Sequence, residues 1–98
     1  SERKITVEEI HRKVSEHYNI RLSDMIGPKR VRTYARPRQV AMYLAKQMTS
    51  RSLPEIGRRF GGRDHTTVMH GVKRIEELKS QDSQVADDIE MLRRALEA

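Results

Sequence analysis

Apolar residues recur along this chain at intervals of three and four, the period of a helix face, and no stretch alternates apolar and polar positions as a half-buried strand would. Val7, Ile10 and Val14 mark the inner face of a first helix running to about Tyr18. Thr6-Val7-Glu8-Glu9 opens it as a capping box, in which the Thr oxygen takes a backbone N–H three residues on and Glu9 reaches back. Leu22 to Ile26 predicts a short second helix stopped by Gly27-Pro28, and Pro28 to Ala35 lacks an apolar period and reads as a basic loop. A third helix is expected to open near Pro37, where a missing N–H costs nothing in a first turn. Its stripe is Val40, Ala41, Leu44, Ala45 and Met48. Ser52-Leu53-Pro54-Glu55 is a second capping box, opening a short fourth helix with Leu53, Ile56 and Phe60 inward. Gly61-Gly62 ends it, since glycine accepts the positive φ of a tight stop. Asp64 suits the N-cap of a fifth helix with Val68, Val72, Ile75 and Leu78 inward. Asp82 or Ser83 caps a sixth, with Val85, Ile89, Leu92 and Leu96 inward. The expected fold is all-α, a compact bundle of about six helices.

The order of elements from Leu53 to about residue 80 is short helix, glycine turn, longer helix. That is the outline of a helix-turn-helix, whose second helix enters the DNA major groove. Angular arithmetic supports it. With Thr66 at 0° and about 100° per residue, His70 falls at about 40° and Lys73 at about −20°. Val68, Val72 and Ile75 fall at about 200°, 240° and 180°. A hydroxyl, an imidazole and an ammonium therefore stand opposite the packing face.

Charge sharpens the picture. The chain has 98 residues, the size of one domain spanning 1–98, with the first four residues reading as a linker remnant. A start at Ser1 rather than Met suggests a piece of something longer. Twenty Lys+Arg against 14 Asp+Glu give a net charge of +6. Between Pro28 and Arg74 the net is +10, and the rest of the chain carries −4. A basic module between mildly acidic ends points to a polyanion, nucleic acid first. No apolar run approaches the ~18 residues of a membrane helix, so a spanning protein is not expected. Without cysteine there is no disulfide, thiol catalysis or Cys-based zinc site, which fits a reducing compartment.

The start of the fifth helix, Arg63-Asp64-His65-Thr66-Thr67, carries the groups that DNA requires. Aspartate accepts from cytosine N4, histidine donates or accepts, and threonine offers a methyl or a hydroxyl. Arg63 and the helix N-terminal N–H groups suit phosphate. Within the basic loop an arginine such as Arg30 can reach a minor groove, where A·T tracts concentrate negative potential. Spacing alone does not choose among Lys29, Arg30 and Arg32. Arg38 and Gln39, in the expected first turn of the third helix, and the outward Lys73 are candidate phosphate contacts.

Gly61-Gly62-Arg63-Asp64-His65-Thr66-Thr67-Val68-Met69-His70 resembles the signature of the C-terminal DNA-binding domain of the bacterial replication initiator family DnaA. The stretches from Ala35 to Leu44 and from Ser52 to Gly57 resemble that family's other blocks, in the same order. The resemblance implies a Trp-repressor-like helix-turn-helix and binding to a short asymmetric duplex element, the DnaA box, at a chromosomal origin. It implies Arg30 in the minor groove, Asp64, His65 and Thr66 reading bases, and Thr67 at the groove surface. It implies Arg38, Gln39, Lys46, Ser52, Leu53, Arg63, Thr67 and His70 on phosphates, some through main-chain N–H. It also implies a monomeric domain in the bacterial cytoplasm, acting on the nucleoid, with protein regulators as further partners. The family's initiators are ATPases, but this chain has no G-x-x-x-x-G-K-[ST] loop, so ATP would belong to absent upstream domains and no cofactor is expected here.

Other classes fare worse. His65 and His70 stand about 140° apart on a helix, and His11 and His17 about 240°, so neither pair converges on a metal. No Ser-His-Asp or paired-carboxylate grouping is legible, and an enzyme is not expected. A protein-interaction module using the acidic outer helices, or a transcriptional regulator with the same helix-turn-helix, is the alternative. A single-strand binder wants exposed aromatic platforms, and this chain has only three Tyr and one Phe.

Overall fold

The computed structural model describes residues 4–28 and 31–98. Six helices follow in order: α1 (Val7–Tyr18), α2 (Leu22–Ile26), α3 (Arg32–Met48), α4 (Leu53–Arg58), α5 (His65–Gln81) and α6 (Ser83–Glu97). No strand occurs among the described residues. The predicted stripes form one core. Val7, Ile10 and Val14 of α1 meet Val40, Ala41, Leu44 and Ala45 of α3, joined by Ile56 and Phe60. Val68, Val72, Ile75 and Leu78 of α5 and Val85, Ile89, Leu92 and Leu96 of α6 join it, as do Met25 of α2 and Met42 and Tyr43 of α3, which the predicted stripes did not include. Met48 and Leu53 are only partly buried at its edge.

Local chemistry sets the helix starts. The Thr6 hydroxyl accepts from the Glu9 N–H at 3.1 Å, and Ser52 accepts from Glu55 at 3.3 Å. Asp64 accepts from Thr66, and Asp82 accepts from Gln84 and Val85. Each bond satisfies a first-turn donor that the helix itself leaves open.

The third helix departs from expectation. It begins at Arg32, not near Pro37, so much of the expected basic loop is helical and Pro37 lies inside the helix. Arg38 and Gln39 therefore sit about two turns in, not in the first turn. The ring removes the N–H that would bond the Thr33 carbonyl, but Thr33 is exposed and its carbonyl can turn to water. Pro37 itself is buried, and the Tyr34 hydroxyl donates to Asp24 across to α2 at 3.3 Å. Tertiary contact here outweighs the local proline signal.

Two polar clusters lock outer helices to the core. The buried Asp88 of α6 accepts from the Tyr18 hydroxyl at 3.1 Å and the Gln84 amide at 3.0 Å, and lies 2.9 Å from His17 Nε2. Burial first, and Asp88 second, push the Tyr18 hydroxyl's ionisation well above its usual range. At the other end of α1, Glu8 pairs with Arg59, which also meets Glu55 of α4.

Candidate nucleic-acid interface

The turn between α4 and α5 is built on close backbone approach. The Gly57 carbonyl accepts from Phe60 N–H at 3.1 Å and Arg63 N–H at 2.9 Å. Gly61 and Gly62 follow at φ of 75° and 74°, the left-handed region that glycine enters without strain. A Cβ on Gly61 would stand 2.4 Å from the Ile26 carbonyl oxygen, so this turn is also where α2 abuts the helix-turn-helix.

Beyond that turn α5 buries Val68, Gly71, Val72, Ile75 and Leu78, and leaves His65, Thr66, Thr67, Met69, His70 and Lys73 exposed. The polar ridge thus projects opposite the core. Asp64 is the N-cap, and its carboxylate lies 2.9 Å from His65 Nδ1. The cap bond from the Thr66 N–H, ahead of the His65 charge, lowers the Asp64 pKa below its ordinary value. The group is thus an acceptor at neutral pH.

A cleft flanks the ridge on each side. One is lined by Ala35, Arg38, Gln39 and Met42 of α3, by Arg63, and by Thr67, His70 and Gly71. The other is lined by Lys46, Leu53, Met69, Val72, Lys73, Glu76 and Glu77. The second cleft adjoins the N-terminus of α4, where chemistry singles out one group. Pro54 has no N–H and the Glu55 N–H is taken by Ser52, so Leu53 alone offers an uncapped first-turn N–H there. The structure therefore brings the expected phosphate residues into two sets, Arg38, Gln39, Arg63, Thr67 and His70 on one flank and Lys46, Leu53 and Lys73 on the other, with Ser52 next to Leu53 as the N-cap of α4. Asp64, His65 and Thr66 stand at the head of the ridge. Arg30, together with Lys29, lies outside the described residues.

Sequence reading did not anticipate how the two arginines are held. Arg38 is buried, and its Nε donates to the Met25 carbonyl at 2.6 Å while a terminal nitrogen donates to Asp24 at 3.1 Å. Arg63 donates to the carbonyls of Phe60, Ile26 and Gly27, the last at 2.7 Å. Together they satisfy the carbonyl end of α2, whose last turn has no helical partners. Burial, and secondarily the charge of Arg63, lowers the Arg38 pKa. Two guanidinium groups facing one cleft favour an anion between them.

Residues 7–75 match the family described as the bacterial dnaA protein helix-turn-helix. The chain belongs to that family. It is 88% identical over 97 residues to the chromosomal replication initiator protein DnaA of Roseobacter denitrificans, covering 99% of this chain and 21% of that protein. The corresponding protein of Gluconobacter oxydans is 69% identical over 96 residues, 98% of this chain and 20% of the relative. That of Zymomonas mobilis is 55% identical over 97 residues, again 99% of this chain and 20% of the relative. The chain thus spans about a fifth of the length of the curated relatives it matches. The matched stretch is that family's helix-turn-helix, and the curated relatives are named as chromosomal replication initiator proteins. Among the described residues no group of acidic and histidine side chains is arranged to hold a metal, and no helix is long and apolar enough to cross a membrane.

Proposed function

We propose that this domain binds double-stranded DNA sequence-specifically at DnaA boxes of a chromosomal origin, with α5 in the major groove. The observation that carries the reading is the exposed ridge of α5 standing between two clefts lined by phosphate-binding groups. A helix seated in the major groove meets base edges along its crest and one phosphate strand on each flank. Asp64, His65 and Thr66 read bases, with Thr67 at the groove surface. Arg38, Gln39, Arg63, Thr67 and His70 hold one strand, and Lys46, Ser52, the Leu53 N–H and Lys73 hold the other. Arg30 enters the adjacent minor groove. A single copy suffices for an asymmetric site, and the domain acts as a monomer on the nucleoid, in the cytoplasm. It needs no cofactor of its own; any nucleotide-dependent step and any contact with protein regulators involve the rest of the protein.

The test is a titration of the chain against a DnaA-box duplex and a scrambled duplex at two salt concentrations. The expected result is a preference of 10³-fold or more for the box, as specific readers show over non-specific DNA, with both affinities falling steeply as salt rises. Equal affinity for the two duplexes would refute the reading.

A further inference from the structure

Met69 is 44% exposed, and among the large apolar side chains left in solvent it is the one on α5. Its surroundings on the ridge are polar: His65, Thr66, His70 and Lys73. Relative to Thr66, Met69 falls at about −60° and His65 at about −100°, so its direction lies between those two residues. Side chains on a helix lean toward its N-terminus and cover the turn before their own Cα. By that rule the Met69 side chain leans toward the turn that holds His65 and Thr66, the end of α5 that leads into the groove under the proposed function. It also lines the flank of the ridge facing Lys46 and Leu53.

This flexible apolar chain stands outside the buried core, where Val68 and Val72 fill the inner face of α5, and it leaves apolar surface open on the rim of the cleft that it shares with Leu53 and Val72. The major groove presents one apolar group on its floor, the C5-methyl of thymine. Methionine is unbranched and polarizable, and adapts to a small apolar surface. We propose that Met69 is a further specificity-determining residue, packing its thioether against a thymine methyl beside the bases read by His65 and Thr66. The inference rests on α5 being the major-groove reader.

The experiment begins with a duplex enriched by this chain from a randomised pool. Each thymine is then replaced singly by deoxyuridine, which removes the methyl and keeps the hydrogen-bonding edge. Wild-type protein is expected to lose about 3- to 10-fold in affinity at one or more thymines. Met69→Ala is expected to lose a similar factor on the parent duplex and to become indifferent to deoxyuridine at one of those positions. Met69→Leu should keep part of that sensitivity. Melting temperatures should match throughout, because the side chain is exposed. If the deoxyuridine profile of Met69→Ala overlays the wild-type profile, the methyls of Thr66 or Thr67 do the reading and the proposal is overturned. If no sequence is enriched at all, the proposal falls together with the reading of α5, and that failure is visible at the first step.

Discussion

Removing the Arg38 side chain tests how far the DNA-facing surface is also scaffold. Arg38→Ala removes two charged donors, one from the Met25 carbonyl at 2.6 Å and one from the Asp24 carbonyl at 3.1 Å. Hydrogen bonds from a charged donor contribute about 1.5–3 kcal/mol each, so the two together amount to roughly 3–6 kcal/mol. Against this stands the relief of no longer burying a cation that faces Arg63, which offsets part of the loss. A net destabilisation of about 2–4 kcal/mol follows. For a domain of this size that lowers Tm by roughly 10–25 °C. Thermal unfolding followed by far-ultraviolet circular dichroism measures it. Arg38→Met keeps most of the aliphatic stem and lacks the donors, so it separates lost packing from lost bonds; most of the destabilisation should persist in it. Below the transition, Arg38→Ala should also bind box and scrambled duplex more weakly by similar factors, as loss of a phosphate contact would. A variant that melts within about 2 °C of wild type while losing DNA affinity would refute the clamp and leave Arg38 a phosphate ligand alone.

The other predictions are narrower. Thr66→Ala should cost about 1–3 kcal/mol of box affinity, the value of a good base contact, with melting temperature and scrambled-duplex affinity unchanged; a parallel fall in all three would make the ridge structural. Gly61→Ala should destabilise clearly more than Gly62→Ala in urea titrations, because an added Cβ at 61 meets the Ile26 oxygen at 2.4 Å whereas nothing lies within 4 Å at 62, leaving there the left-handed cost of roughly 1–2 kcal/mol. His11 is buried against Phe60 with no partner on Nε2, and burial lowers its pKa below 6.5 despite the Glu8 charge. The unfolded chain therefore takes up this proton first, and the associated stability is present above about pH 6.5 and lost as pH falls toward the folded value. His11→Leu should flatten the fall in urea midpoint between about pH 7.5 and 5.5, and an unchanged fall would place the titration elsewhere.

What was legible in the sequence is what is local. The Thr6, Ser52, Asp64 and Asp82 caps act within three residues, and each forms its bond. The apolar stripes are periodic, and the ridge of α5 follows from the same period. What escaped depends on distant partners. The carbonyls at the end of α2 that Arg38 and Arg63 meet have no side-chain signature, and they lie 13 or more positions from Arg38 and 36 or more from Arg63. Asp88 reads as one more surface acid of α6 until His17, 71 positions earlier, is folded against it. The early start of α3 was hidden by Pro37, a strong local signal that burial of the ring outweighs.

The two kinds of residue proposed to face DNA therefore differ in how they can change. Thr66, His70 and Lys73 extend from a helix whose opposite face alone is packed, so their substitution alters the reading surface without opening the core. Under the proposed function, base reading by Thr66 is therefore adjustable almost independently of stability, and so are the phosphate contacts of His70 and Lys73. Arg38 and Arg63 are different, because the guanidinium groups that face one cleft also hold the end of α2. Residues 29 and 30 lie between that held end and Val31, the N-cap of α3. The arginines on the first flank of the ridge thus hold the described backbone just before those two residues. Under the proposed function, phosphate contact by these two arginines is therefore tied to the stability of α2, whereas base reading by Thr66 on α5 is not.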